Sequence, residues 1–369
     1  LNQAIGSKVF RLNVTLNNLF IVERGDTVRF NTSTKEQMEI IVDKLVKSGV
    51  ERIVYATDSF IYPYGYSATH TICAPDPYSE RDAYERWVTV NSKAMGLIAK
   101  EFPEIKYFEV INEPDIPGNE VLCKNGMLWG TQQAEFMYTA EDEANILADL
   151  NYYMRREVKK VDESNMMMTA AFSSLASTYD FLEYFYGAIE SGAHPIKDED
   201  PCSVDPDDYF DIMDLHPYAF VAENIDPANK YIEGIPTVNE SYVKGCMKFY
   251  EICCKHGDAE KPHWYTELGF TDRGLEGSRV QAGIEVKEQL RLIKTELPFV
   301  ECVIFYKMTD LYEYTVSISE DYFGLFTALM NPDHPLELKP IMKEIYAFMH
   351  DGSTDYSAFD AVRDKYLER

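Results

Sequence analysis

Glu113 and Glu267 are the residues whose setting best suits them to chemistry. The stretch Tyr107-Phe108-Glu109-Val110-Ile111-Asn112-Glu113-Pro114 is rich in aromatic and β-branched residues and stops at a polar pair and a proline. Such a run reads as a buried strand. Pro114 disfavours helix at the residue before it, which puts Glu113 at the strand's end. The stretch Pro262-His263-Trp264-Tyr265-Thr266-Glu267-Leu268-Gly269-Phe270 repeats the pattern, with one carboxylate before a glycine. A single glutamate before a proline is ordinarily a surface-loop acid. Two of them on separate apolar strands predict a shared cleft, because parallel barrels keep their chemistry at C-terminal strand ends. A facing pair is what glycosidic-bond cleavage requires. One carboxyl protonates the leaving oxygen, and the other attacks or stabilises the anomeric carbon.

The elements that would hold these groups alternate along the chain. Lys8 to Val14 reads as a strand, and Thr34 to Ser48 as a helix with Met38, Ile41 and Leu45 on its apolar face, stopped by Gly49. A strand over Arg52 to Ala56, a helix over Glu80 to Glu101 and the Glu113 strand follow. A helix over Ala140 to Val161 and strands over Met166 to Phe172 and Tyr209 to His216 come next. Then come a helix over Tyr242 to Cys254, the Glu267 strand, a helix over Val280 to Glu296 and a strand over Cys302 to Lys307. A further helix starts at Pro340, a residue well tolerated in the first turn. This alternation predicts parallel βαβ units. Pro195 to Asp208 reads as an insertion loop.

Asn112-Glu113-Pro114, together with Glu267 in Thr266-Glu267-Leu268-Gly269, resembles the clan A glycoside hydrolases. Within that clan the chain is most similar to family 39, which includes β-xylosidases and α-L-iduronidases; family 5 is next. The resemblance implies a (β/α)8 TIM barrel and a retaining mechanism, with Glu113 as acid/base after strand 4 and Glu267 as nucleophile after strand 7. Glu113 lies on the third of seven strands in the reading above. The expectation is therefore one catalytic domain over residues 1–350 whose strand 1 lies upstream of Leu1. Residues 351–369 would be a tail or short helix packed outside.

The resemblance also implies substrate-binding residues. Arg11 matches the clan's arginine and would hold Glu267 charged and oriented, with the Tyr218 hydroxyl donating to the same carboxylate. Asn112 would bond the sugar 2-hydroxyl. His216 would contact Glu113 or the sugar. Where many clan members have a tryptophan under the sugar, this chain has Phe305-Tyr306-Lys307-Met308. Tyr306 would serve as the platform. Lys307 would either pair with an acid such as Asp310 or face the barrel mouth and meet a uronic acid. Trp129 resembles a family 39 position and would present a sugar-facing ring, as would the aromatic loop Tyr62-Pro63-Tyr64-Gly65-Tyr66.

Composition bounds the alternatives. The 369 residues, 46% of them hydrophobic, suffice for one elaborated barrel. The net charge of −27 argues against nucleic acid or an anionic membrane surface as partner; the resemblance implies an oligosaccharide or polysaccharide substrate. Seven cysteines without a Cys-x-x-Cys pair argue against a disulfide framework or a zinc site, though a Cys73–Cys123 bridge stays open. The expected compartment is the cytoplasm, with secretion left open because the first residues read as the middle of a helix. No cofactor is expected. A metal-dependent barrel hydrolase is one alternative, although no His-x-His pair is present. A carbohydrate-binding barrel without catalysis is the other.

Overall fold

A computed structural model describes residues 1–66, 74–116, 139–197, 201–225, 231–232, 235–272, 276–310, 321–327 and 336–367. Its strands in chain order are β1 (Val9–Asn13), β2 (Phe20–Glu23), β3 (Thr27–Phe30), β4 (Arg52–Ala56), β5 (Ile105–Phe108) and β6 (Met166–Met167). They continue with β7 (Met213–Leu215), β8 (Tyr231–Ile232), β9 (Ile235–Pro236), β10 (His263–Leu268) and β11 (Val300–Phe305).

Seven of these run parallel. One sheet has the order β1-β4-β5-β6 and a second the order β11-β10-β7. Parallel bridges from Met168 to Ile212 and from Phe172 to Leu215 join the two. Helices alternate with the strands, so the architecture is an α/β barrel built from βαβ units. The ring does not close. Among the described residues β11 and β1 are not paired, and a cavity of about 750 Å³ lies between them, lined by Val9, Phe10, Leu290, Val303, Ile304 and Ile345. Arg11 and Glu267 line it, whereas Glu113 and His216 do not, so it is distinct from the space between the two glutamates.

Local sequence accounts for the frame. The helix Ala140–Val161 begins at a capping box in which Thr139 and Asp142 satisfy each other's backbone N–H groups. It packs against the helix Arg81–Glu101 at Gly96, where a Cβ would meet the Glu157 side chain at 3.1 Å and its carbonyl at 3.3 Å. Pro340 opens the helix Pro340–Met349 at its first turn. A further helix, Ser357–Leu367, lies on the outside, with Phe359 buried and stacked on Phe326 at 5.4 Å. Inside the barrel, Val54, Met168, Ile212, Trp264 and Cys302 form an apolar layer beneath the strand ends. A packed interior of this kind is a floor, not a channel. Among the described residues no helix is long and apolar enough to cross a membrane.

Several elements differ from the sequence reading, among them those that follow. The helix between β3 and β4 spans Thr32–Lys47 and buries Met38, Val42 and Leu45, while Ile41 is 40% exposed. Val42, four residues after Met38, takes the inner face that Ile41 leaves by one position. The antiparallel pair β2 and β3 was not anticipated; its tight turn is made at Gly25 and Asp26, both with positive φ. The helix Thr178–Ser191 was also missed, although Phe181, Leu182, Phe185 and Ile189 recur at helical spacing and are all buried.

Candidate active site

The C-terminal ends of the parallel strands bring six of the expected residues together. Arg11 lies on β1, Asn112 and Glu113 follow β5, His216 and Tyr218 follow β7, and Glu267 is on β10. Regular pairing of β5 ends at Phe108, but the chain continues along the sheet. The Glu109 N–H donates to the Tyr55 carbonyl at 2.8 Å, and Asn112 bridges Ala171 in parallel. The Glu113 N–H donates to the Ala171 carbonyl at 2.8 Å. Glu113 itself has φ 41°, a left-handed conformation sparsely used by residues with a Cβ. Its backbone therefore turns at the carboxylate instead of ending an extended run.

Arg11 organises one side of the site. Its guanidinium donates from Nε at 2.6 Å and Nη2 at 2.5 Å to the two oxygens of Glu109. Nη2 also donates to Asn112 Oδ1 at 2.8 Å, and Nη1 donates to Glu267 Oε1 at 2.6 Å. This is the bidentate fork for which arginine is suited, with a third carboxylate oxygen at its tip. Tyr218 donates its hydroxyl to the other oxygen of Glu267, Oε2, at 2.7 Å. Burial works to raise the pKa of Glu267, but the charges of His216 and Arg11 and the Tyr218 hydroxyl outweigh it and hold the group below the ordinary carboxylate range.

His216 occupies the other side, fully buried. Its Nδ1 lies 2.9 Å from Glu113 Oε1 and 3.7 Å from Glu267 Oε2. Nε2 lies 3.0 Å from Thr266 Oγ1. Burial disfavours the imidazolium, yet the Glu267 and Glu113 carboxylates prevail and push His216 up to about 9. Atoms of Glu113, His216 and Glu267 all fall within 4.8 Å of one another, so an oxygen of each glutamate lies that close to an oxygen of the other. Their side chains remain 19% and 15% exposed, which leaves both reachable from solvent.

The same trio is the one group among the described residues able to converge on a metal ion. Its donor atoms are already engaged by Arg11, Tyr218 and each other. A guanidinium 2.6 Å from Glu267 also opposes a second cation there. The donor set does not suit a resident metal.

The strand 8 residues lie beside this centre. Tyr306 follows β11 directly, and its N–H donates to the Leu268 carbonyl at 2.7 Å. A Cβ on Gly269 would come within 2.5 Å of the Tyr306 carbonyl, so only glycine allows the two strand exits to approach this closely. Phe323 packs between Tyr306 at 5.7 Å and Tyr218 at 5.9 Å. The Lys307 ammonium sits 5.3 Å over the Tyr306 ring. The expected Lys307–Asp310 pairing is not what the structure contains. Asp310 pairs with Lys339 at 2.9 Å, and Lys339 also reaches Asp272 at 2.7 Å. Asp310 and Lys339 are both nearly fully buried, and Lys339 emerges just before the helix that Pro340 opens, so the shorter path goes to Lys339. In the Tyr62–Tyr66 loop, Tyr62 and Tyr66 stack on each other at 5.8 Å. Trp129, Cys73 and Cys123 lie outside the described residues.

Three residues central to this geometry were missed as site residues: Glu109, Asp214 and Thr266. Each was visible as a polar group inside an apolar strand stretch, where burial demands a partner.

No family model matches the chain, and no curated protein does either. Solved structures do. A β-glucosidase from Thermotoga maritima bound to deoxynojirimycin superimposes with a TM-score of 0.59 at 13% identity, covering 96% of this chain and 85% of that one. A family 39 glycoside hydrolase from the gut symbiont Bacteroides cellulosilyticus WH2 gives 0.56 at 15%, covering 94% and 59%. A GH5_18 protein from Bifidobacterium longum subsp. infantis gives 0.59 at 12%, covering 95% and 71%. The chain spans just over half the length of the family 39 structure. At these identities the likeness is one of fold, and both families named from the sequence are among the matches. The chain has the α/β barrel fold of these glycoside hydrolases.

Proposed function

We propose that this protein is a retaining glycoside hydrolase in which Glu113 is the acid/base and Glu267 the nucleophile. The observation that carries the reading is the paired carboxylates, with oxygens within 4.8 Å and opposite surroundings. Retaining enzymes keep their carboxyl groups about 5–5.5 Å apart, whereas inverting enzymes leave about 6.5–9.5 Å for a water. Glu267 is held ionised by Arg11, Tyr218 and His216. Glu113 faces an imidazole with which it can exchange a proton.

In the first step a Glu267 oxygen attacks the anomeric carbon as the glycosidic C–O bond breaks. The Glu113 proton goes to the departing oxygen. In the second, water attacks the same carbon, Glu113 takes its proton, and the bond to Glu267 breaks with its electron pair returning to the carboxylate. The configuration is retained and every proton is accounted for without a cofactor. The structural matches to a β-glucosidase and a family 39 glycoside hydrolase support a carbohydrate substrate.

The test is hydrolysis of a panel of aryl glycosides with and without a chelator. Turnover of at least one glycoside, unchanged by chelation and lost in Glu267→Gln, is expected. Activity abolished by the chelator would favour the metal-dependent alternative; binding without turnover across the panel would favour the carbohydrate-binding one.

A further inference from the structure

The inference concerns what lies behind His216, and it rests on the reading of Glu113 as acid/base. Thr266 Oγ1 lies 2.8 Å from Asp214 Oδ1 and 2.9 Å from Oδ2. The same oxygen lies 3.0 Å from His216 Nε2, and His216 Nδ1 lies 2.9 Å from Glu113 Oε1. Asp214, Thr266 and His216 are all buried. An unbroken line of hydrogen bonds thus runs to the glutamate at the barrel mouth from a sequestered carboxyl group, which burial and the nearby Glu109 push well above the ordinary carboxylate range.

Thr266 has one hydroxyl hydrogen, and both oxygens of Asp214 face it. With that hydrogen committed to Asp214, the Thr266 lone pairs can only accept, so Nε2 carries a hydrogen. Nδ1 is then the nitrogen that exchanges a proton with Glu113 Oε1. This tautomer matters. With Nε2–H fixed, a single proton is shared along the Nδ1 to Oε1 contact; it rests on His216 in the free site, where the neighbouring carboxylates favour the imidazolium, and the acid is armed when it passes to Glu113. If Thr266 instead donated to Nε2, neutral His216 would carry Nδ1–H. It would then face Glu113 as a donor, and Glu113 would have no proton to give.

We propose that Asp214 and Thr266 are positioning residues that fix the tautomer of His216 and thereby place the proton used by Glu113. The charged and titratable groups facing this line are Glu267, Glu113 and Arg11 around His216, and Glu109, Arg11 and the Cys302 thiol around Asp214. Among the described residues the hydrogen-bond partners of the Thr266 hydroxyl are Asp214 and His216, so these two set its direction.

The experiment uses Thr266→Val, Thr266→Ser and Asp214→Asn in the full chain. In Asp214→Asn the carboxamide N–H can donate to Thr266 and turn its hydrogen toward Nε2. Each variant is assayed with one glycoside whose leaving group needs protonation, an alkyl glycoside, and with its dinitrophenyl counterpart, which does not. General acid–base catalysis is worth roughly 10²–10⁴-fold, so Thr266→Val and Asp214→Asn should lose at least about tenfold in kcat/KM, which reports the first step, on the alkyl glycoside and less than about twofold on the dinitrophenyl glycoside. The basic limb of kcat/KM should move to lower pH, and Thr266→Ser should behave as the unmodified protein. Equal losses on both substrates with an unmoved pH profile, or a serine variant as impaired as the valine one, would overturn the proposal. Glu113→Gln separates the two levels of the argument. If it too shows no leaving-group dependence, the reading of Glu113 fails; if it shows the dependence and the relay variants do not, only the relay fails.

Discussion

Arg11 Nη1 meets Glu267 Oε1 at 2.6 Å, and the opposite edge of the same guanidinium is clamped by Glu109. One planar cation thus ties a fully buried carboxylate to a partly open one. The arrangement keeps Glu267 ionised where burial alone would neutralise it. Arg11→Lys leaves a single ammonium that cannot serve both carboxylates and Asn112. Its kcat should fall by roughly 10²-fold, as for loss of one preorganised donor. Steady-state kinetics on the best aryl glycoside would check this, and a lysine variant with full activity would remove Arg11 from the account.

Tyr218→Phe removes a hydroxyl that donates to Glu267 at 2.7 Å. The hydroxyl favours the charged form, so Glu267 becomes easier to protonate without it. A carboxylate held below its ordinary range stays ionised through that range and is protonated only as pH falls through its lowered value, so in the proposed role Glu267 loses activity there. The acid limb of kcat/KM should therefore shift upward in the phenylalanine variant. A pH–rate profile decides the point; a downward shift would contradict it.

Glu109 is fully buried and accepts both edges of the Arg11 fork. Glu109→Gln keeps the shape but leaves the cation short of a counter-charge inside the barrel. Removing one partner of a buried pair costs about 3–5 kcal/mol. Urea unfolding should show a loss of that order together with reduced activity. Unchanged stability would mean that Glu267 alone compensates Arg11.

His263 gives a separate pH prediction. Both ring nitrogens are buried without a hydrogen-bond partner, packed among Phe249, Tyr250 and Phe299, and burial pushes the imidazole down to about 3. The unfolded chain binds this proton near pH 6.5, while the folded chain refuses it. Stability is therefore complete above about pH 6.5 and declines as pH falls below it, by about 2 kcal/mol between pH 6.5 and 5 at about 1.4 kcal/mol per unit. His263→Phe should flatten that part of the stability curve. Thermal unfolding across this window, compared between the two proteins, measures the difference.

Much of the frame was legible because it follows from periodicity and punctuation. The helix Ala140–Val161 matched its expected limits, and β4 did as well. The helix Thr178–Ser191 escaped notice although Asp180, Gly187 and Glu190 lie exposed opposite its buried residues, because its aromatic run is equally consistent with a strand. In the site, Glu113 and Glu267 could be named because strand ends are recognisable, whereas Arg11, Asn112, His216 and Tyr218 came from the resemblance to clan A. Glu109, Asp214 and Thr266 were harder. Their roles are to hold Arg11 and His216 from behind, and a strand's sequence does not state which neighbour a buried side chain will face. The Asp310–Lys339 pair shows the same limit, since it joins residues far apart in the chain that only the fold brings together.

The most direct measurement of the central claim is azide rescue of Glu267→Ala on an activated aryl glycoside. Removing the carboxylate opens space at the anomeric carbon for a small anion. The account predicts restored turnover with a glycosyl azide of inverted configuration, while the unmodified protein gives a product of retained configuration. A Glu267→Ala variant that hydrolyses the glycoside as well as the parent, or a parent whose product is inverted, would contradict it.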